Sequence, residues 1–363
     1  MNEPPEAPAP YHHVSLKQVA RCAGVSFQTA SKVLNGKGTV STATRERILT
    51  AARSLEYVPN GLARSLISRT TTTIGVIATD FSDTTLAQHI VGMEREARRQ
   101  GHCVIIGSLD RRGSDAEAYL RALLERRVDG IIMNAPVTEG SVRLGEILRG
   151  SVPVVSLHPI HGGGISLVTA DDALTGLLPV RHLIAMGHRR IAMITGTRER
   201  EIRRIRSRAY RQALAEAKIS FDTALVEEGR WEIEGGHQAT HRLLDRAPDL
   251  TSIFAQNDMM AIGALSALHE RGRRVPEDCA VVGCDDLPIA SRTIPPLTTV
   301  HIPFYEVGVA AMRLLIEQVG ATVREPKQVI LPVRMVYRAS APDRTRQPQA
   351  AQSGSPLDGD DLR

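Results

Sequence analysis

VSLKQVARCAGVSFQTASKVL, residues Val14–Leu34, is the stretch that decides how this chain is read. Ser15 precedes Leu16 and Gln18 follows three residues later, an S-x-x-Q capping box that predicts a helix starting at Leu16. Leu16, Val19, Ala20 and Ala23 recur at helical spacing and share one face. Gly24 admits the positive-φ backbone that ends a helix. Ser26 then caps a second helix over Phe27–Leu34, with Ala30, Val33 and Leu34 turned inward and Gln28, Thr29 and Lys32 left outside. Two short amphipathic helices around a Gly-centred turn form a helix-turn-helix, whose second helix meets base edges of the major groove through its N-terminal residues. Gln pairs bidentately with adenine, and Lys approaches guanine O6 and N7. An ordinary helical hairpin with a polar outer face has the same pattern, and the pair of helices alone does not separate the two.

The neighbouring residues extend the motif. Ser41 caps a third helix, predicted over Thr44–Leu55, with Ile48, Ala51, Ala52 and Leu55 facing inward. Arg45 and Arg47 near its start suit phosphate contacts, which position a protein without reading sequence; a solvated helix face reads the same way. YVPNGLARSL follows at Tyr57–Leu66, where Asn60 can cap a short helix over Gly61–Ile67. So short a helix is unstable alone and orders only when something packs on it. Leu62 and Leu66 share a face, which fits either a minor-groove wedge or a linker helix packed on its own domain.

Charge placement agrees with a nucleic-acid role for this region. Residues 1–70 carry nine Lys and Arg against four Glu and no Asp, whereas the remainder balances 36 basic against 36 acidic residues. The whole excess of +5 therefore sits in the N-terminal fifth, the footprint of a small module docking on phosphates, or of a basic solvated surface.

A length of 363 residues predicts two or three domains. With 23% charged and 42% hydrophobic residues, the composition is that of a soluble globular protein. No apolar run approaches the roughly 18–20 residues that span a bilayer, and MNEPPEAPAPYHH lacks the features of a signal peptide, so a cytoplasmic location is expected. Cys22, Cys103, Cys279 and Cys284 are scattered, with no Cys-x-x-Cys, and read as small buried hydrophobes rather than metal ligands or a disulfide.

Past Thr70 the pattern changes from helical segments to short β-branched runs alternating with amphipathic stretches. Strands are predicted at Ile74–Ala78, Cys103–Gly107, Gly130–Met133, Val154–Leu157, Ile191–Thr195, Ser252–Ala255 and Ala280–Gly283. Helices are predicted at Ala87–Gln100, Ala116–Arg126, Ala173–Met186 and Arg208–Lys218. The fold class expected is an all-α head followed by an α/β core of two doubly wound parallel-sheet halves, with ligands at the carboxyl ends of the strands. The expected domains are a disordered arm at 1–13, a DNA-binding head at 14–58, a short helix and linker at 59–72, a ligand-binding core at 73–340, and a loose tail at 341–363.

VSLKQVARCAGVSFQTASKVLNG, VSTATRERI and YVPNGLARSL, in this order and spacing, resemble the lactose-repressor (LacI/GalR) family of transcriptional regulators. The likeness runs on through IGVI at Ile74, HLIAMGHRRIAMITG at His182–Gly196, AQNDMMAIGAL at Ala255–Leu265, VVGCDD at Val281–Asp286 and IPPLTTV at Ile294–Val300. One such string is weak; this many in register is specific. The resemblance implies a periplasmic-binding-protein-like core, adds dimerisation to the role of residues 73–340, and implies a homodimer placing two heads on a palindromic operator. It also makes the short helix within residues 59–72 a hinge helix that forms on DNA, with a leucine at the position of Leu66 inserted at the central step. The DNA-facing set is then Ser26, Phe27, Gln28, Thr29, Lys32, Arg45, Asn60, Ala63 and Leu66, with Lys32 standing where arginine is frequent.

No catalytic constellation stands out in the core, so no enzyme activity, cofactor or metal is expected. Asn35–Gly38 is not a phosphate loop, because Ser31 occupies the place of the required glycine. Asp285 and Asp286 end a strand, where they can cap or bond a loop, and His182 and His188 are too far apart in sequence to share a helix face as a metal pair. Sugars need planar polar side chains and an aromatic face; Arg206, Asn257, Asp285 and the single Trp231 are of those types. By register the resemblance adds Thr79, Asn134 and Phe304, and His158 where several relatives carry an acid. Seven arginines crowd Arg198–Arg211, read either as a solvated face or as a hint that Arg204 or Arg206, with His158, favours an anionic ligand.

The reading reached is a repressor released from its operator by a sugar or sugar-derivative inducer. A co-repressor-dependent or activating regulator is the alternative, and a sugar-binding transport component is disfavoured by the DNA-binding head. A dimer rather than a tetramer is expected, since the tail has only Leu357 and Leu362 and so no leucine heptads.

Overall fold

The computed structural model describes residues 14–36, 39–58, 70–79, 84–109, 115–135, 142–149, 152–160, 164–198 and 200–343. The chain forms two compact units, Met1–Thr71 and Thr72–Arg363.

The first unit is built on three helices, α1 at Leu16–Cys22, α2 at Phe27–Leu34 and α3 at Thr42–Ser54. Each starts at a serine whose hydroxyl accepts a backbone N–H three residues on: Ser15 from Gln18, Ser26 from Thr29, Ser41 from Thr44. The Gln18 side chain returns to the Ser15 N–H at 2.7 Å, completing the capping box. Ala23 closes α1, and Gly24 at φ +63° turns the chain into α2. The third helix starts two residues before the expected Thr44, because a cap at Ser41 makes Thr42 its first helical residue. Val19, Ala30, Val33 and Ile48 meet in a buried core at the junction of the three helices. Tyr57 packs on this core, while the predicted helix over Gly61–Ile67 and the arm at 1–13 lie outside the described residues.

The second unit holds two parallel sheets. Strands β1 (Thr73–Ala78), β2 (Cys103–Ser108), β3 (Gly130–Asn134), β4 (Val154–Ser156), β5 (Ser166–Ala170) and β11 (Gln328–Leu331) form a six-stranded sheet in the order β11-β5-β4-β3-β1-β2. Strands β6 (Ile191–Thr195), β7 (Val226–Glu228), β8 (Ser252–Ala255) and β9 (Ala280–Val282) form a four-stranded sheet in the order β7-β6-β8-β9. Neighbours in both sheets run parallel. The central strands are buried along their length, as the continuous apolar runs required.

Helices cover both sheets: α4 (Thr84–Arg99), α5 (Ala116–Glu125), α6 (Val142–Arg149) and α11 (Phe304–Val319) on the first, and α7 (Asp172–Ala185), α8 (Glu201–Glu216), α9 (Ile233–Arg246) and α10 (Asp258–Glu270) on the second. The chain passes between the halves three times: from β5 into α7, from β10 (Thr299–His301) into α11, and from β11 into β12 (Arg334–Val336). Strands β10 and β12 pair antiparallel at this crossing, with Ala170, Cys284, Val300, Ile302 and Val333 as its core.

Some expectations are corrected. The helix predicted over Arg208–Lys218 begins at Glu201, its first turns masked in sequence by the arginine run. Strands β5, β7, β10, β11 and β12 were not anticipated; most have only three or four residues, too few to show a period, and β11 is largely exposed. Cys279 and Cys284 are buried as expected, on either side of β9, but Cys22 and Cys103 are exposed. Cys22 ends α1, and Cys103 opens β2, an edge strand with little cover.

Candidate ligand cleft and nucleic-acid interface

A cavity of about 490 Å³ lies between the two sheets of the second unit, within the range of small-molecule sites. Its walls come from segments at the carboxyl ends of strands, as open parallel sheets dictate. His158 follows β4, Asp172 follows β5, Trp231 follows β7, Asn257 follows β8, and Asp285 follows β9. The crossing segments contribute Ala170, Ile302 and Phe304.

Arg206 projects from α8 and is 5% exposed, so its charge is held by fixed partners rather than water. Its Nε donates to Thr175 Oγ1 at 2.9 Å and its Nη1 to the Gln256 carbonyl, while Nη2 stands 4.0 Å from Asp285 Oδ1. Asp285 sits at φ +130°, and Asp286 beside it turns the other way, bonding Arg338 at 2.7 Å and His301 at 3.0 Å. The paired acids thus divide: one lines the cleft and the other ties the crossing strands together.

Asn257 has two tasks. Its Oδ1 accepts the Met260 N–H at 2.9 Å and caps α10, while its Nδ2 donates to the Trp231 carbonyl at 3.1 Å. Trp231 is held in the left-handed region at φ +69°, and its indole lies over Gly196, where any added Cβ would fall 1.9 Å from the ring. The indole N–H donates to Thr197 at 3.3 Å, leaving ring surface on the cavity wall. On the opposite wall Phe304 meets His89 edge-on, with ring centroids 5.3 Å apart.

Burial sets the charge states. It pushes the Asp172 carboxyl up to about 6, against the opposing pull of Arg206. It pushes the His158 imidazole down to about 3, with His89 and Arg200 adding to the effect, so this ring is neutral at pH 7. Arg204 is 62% exposed and pairs with Glu201, and Arg198 and Arg208 are more exposed still. Of the arginine run only Arg206 carries a buried charge into the cavity, and His158 brings none. The expected pairing of His158 with Arg204 or Arg206 as an anion site therefore lacks a charged His158 and an inward Arg204. Around the cavity Asp172, Glu201, Glu232 and Asp285 outnumber Arg200 and Arg206.

The structure brings His158, Arg206, Trp231, Asn257, Asp285 and Phe304 together on this cavity. Thr79 and Asn134 are not on its wall: Thr79 follows β1 and Asn134 ends β3, both are nearly or fully buried, and their polar side-chain atoms make no hydrogen bond among the described residues. Sequence reasoning missed Asp172, His89 and Glu201. Asp172 follows β5, which was itself not anticipated, so its position at a strand end was hidden. His182 and His188 are structural, bonding the Ala341 carbonyl and the Thr251 hydroxyl, each at 3.0 Å.

In the first unit, the Ser26 hydroxyl caps α2 and also bonds Thr29 Oγ1 at 2.8 Å. Phe27 is 50% exposed despite its size, and Gln28 and Lys32 are exposed on the same short helix. Arg45 is half-buried at the start of α3. Asn60, Ala63 and Leu66 lie outside the described residues.

A helix-turn-helix unit joined to a two-sheet ligand-binding core defines a ligand-responsive DNA-binding regulator. The model of bacterial regulatory proteins of the lacI family matches residues 15–60, and that of the periplasmic binding protein-like domain matches residues 180–341. The chain is 34% identical to catabolite control protein A of Priestia megaterium, over 90% of this chain and 99% of that protein. The lac repressor dimer bound to operator and the anti-inducer ONPF matches with a TM-score of 0.83 at 31% identity, covering 92% of this chain and all (100%) of that one. The CelR–cellobiose complex matches with a TM-score of 0.69 at 33% identity, over 90% and 100% of the two chains. The chain belongs to the LacI family of transcriptional regulators.

Proposed function

We propose that this regulator acts as a homodimer on a palindromic operator and leaves it when a neutral, hydroxyl-rich ligand such as a sugar occupies the cleft. The observation that carries the ligand class is the make-up of the cavity wall. Carboxylates outnumber guanidinium groups there, His158 is neutral, and the Trp231 and Phe304 rings offer apolar faces. Carboxylates accept hydrogen bonds from hydroxyls and repel phosphates and sugar acids; Arg206 and Asn257 complete a set of planar polar groups. The CelR relative with cellobiose in its structure supports this class.

The homodimer is supported by β2, an edge strand with Ile105 and Ile106 exposed, and by exposed Val91 on α4. An apolar, unpaired edge is a surface that a second copy can cover. Among the described residues no helix is long and apolar enough to cross a membrane. The protein is placed in the cytoplasm by this reading, since its operator is there.

Calorimetric titration with neutral sugars, sugar acids, sugar phosphates and nucleobases tests the ligand class. Binding of a neutral sugar with no heat from its phosphorylated form is the expected result. A preference for the acidic or phosphorylated compounds overturns it.

A further inference from the structure

The outer face of the four-stranded half carries a cluster that the ligand cleft does not use. His237 and His241 stand one turn apart on α9, and Glu270 ends α10 opposite them. The two imidazole Nε2 atoms are 3.4 Å apart, and Glu270 Oε2 lies 2.9 Å from one and 3.2 Å from the other. We propose that His237, His241 and Glu270 form a binding site for a zinc-class divalent transition metal that clamps α9 to α10.

The triangle has the right size. Metal–ligand bonds of about 2.0–2.1 Å in a tetrahedron set ligand atoms about 3.3 Å apart, so an ion fits with shifts of a few tenths of an ångström. Two imidazoles and one carboxylate suit Zn, Co, Ni or Cu, whereas Mg and Ca prefer all-oxygen sets. The histidines are about one-quarter exposed and Glu270 about one-half (24%, 25% and 51%), which leaves room for a water as fourth ligand.

The framework is rigid. A Cβ on Gly236 would fall 2.3 Å from the Met260 carbonyl, and one on Gly263 would fall 2.6 Å from the His237 nitrogen. The two helices therefore touch backbone to backbone beside the cluster, and the ligands stand on packed helices rather than on a loop.

The protons can be traced. Arg271 Nε donates to His241 Nδ1 at 2.9 Å, which places the proton of the neutral ring on Nε2, toward Glu270. A metal at Nε2 sends that proton to Nδ1, so Arg271 must turn away. Its guanidinium is 40% exposed and keeps Asp245 at 2.8 Å, so the turn is feasible. His237 Nε2 likewise donates to the Glu270 carboxylate at 2.9 Å, so a metal there sends that proton to Nδ1, which has no hydrogen bond among the described residues. Sequence reasoning expected no metal because it weighed the scattered cysteines and, among the histidines, only His182 and His188. The spacing of His237 and His241 at i, i+4 was the available signal, and the facing Glu270 was not readable from sequence.

Cobalt titration of the chelator-treated full-length protein tests the site, with zinc displacement and melting temperature as further readouts. This test is independent of what binds in the cleft. The expected result is one equivalent of Co(II) giving visible d–d bands without a thiolate charge-transfer band, displaced by Zn(II), with a melting temperature raised by either ion. His237→Asn with His241→Asn should abolish the bands, and Glu270→Gln should weaken binding by about tenfold or more. Arg271→Ala should tighten it, since the competing donor is gone. Absent bands, equal binding by the double variant, or thiolate ligation lost in Cys22→Ser or Cys103→Ser overturns the proposal. A cluster held by hydrogen bonds to Glu270 alone predicts the first of these outcomes.

Discussion

At the scale of single residues, two ionisable groups of opposite sign, Arg206 and Asp172, organise the cleft. Arg206 has its guanidinium surrounded by Thr175, Gln256 and Asp285. Lysine cannot reproduce that fork, so Arg206→Lys should weaken ligand binding by about tenfold or more, equal to about 1.4 kcal/mol. Calorimetry on the variant checks this. Asp172 instead has its carboxyl pushed up to about 6 by burial. A folded-state pKa raised above the unfolded value of 3.8 contributes stability that is full below pH 3.8 and lost as pH rises through 6. Asp172→Asn should therefore gain melting temperature relative to the parent at pH 7.5, and less at pH 5; an equal difference at both would show that Asp172 ionises freely. The place of some residues on the cavity wall was legible in sequence: Asn257 and Asp285 at strand ends, Trp231 as the single indole. Asp172 was not, because an acid in the first turn of a helix reads as an ordinary dipole partner. Thr79 and Asn134 match family positions by register, yet register does not show that their side chains lie off the cavity wall.

At the scale of elements, capping chemistry carried most of the legible information. The three serines that open the helices of the first unit were readable because each sits directly before an apolar period. Ser26→Ala removes the cap of α2 and should cost about 1 kcal/mol. Because α2 is only eight residues long, that loss falls on the helix presenting Gln28 and Lys32. A lowered melting temperature of the first transition together with weaker operator binding is expected; unchanged values for both would mean the cap is replaceable. Strands β1, β3 and β6, of five or six residues, were found in sequence, since burial on both faces makes them continuous apolar runs, whereas β5 is buried only at alternate residues and was missed. Three-residue strands such as β4 and β9 were found only because apolar neighbours extend them, and β7, with Glu227 and Glu228 in it, gave no signal.

At the scale of the whole molecule, the fold separates two kinds of chemistry. The excess positive charge belongs to residues 1–70, and the buried polar cleft belongs to the second unit. That division was legible as a change of period near Thr70, and the contact boundary falls between Thr71 and Thr72. The threefold crossing between the sheets was not legible, because β10, β11 and β12 are short and the segments joining them lack a period. Those crossings let one ligand touch both halves at once through Ile302, Phe304 and Asp172. A ligand that binds one arrangement of the halves better than another shifts the equilibrium by that difference, typically about 1–3 kcal/mol.

In the proposed function, occupancy of the cleft governs DNA binding. Fluorescence anisotropy on a palindromic operator duplex, with and without a compound that raises the melting temperature of the second unit, measures that link directly. Such a compound is expected to weaken operator affinity by about 5–150-fold, and Arg206→Lys to blunt the effect while leaving ligand-free binding intact. Operator affinity that stays the same when the cleft is demonstrably filled would contradict it.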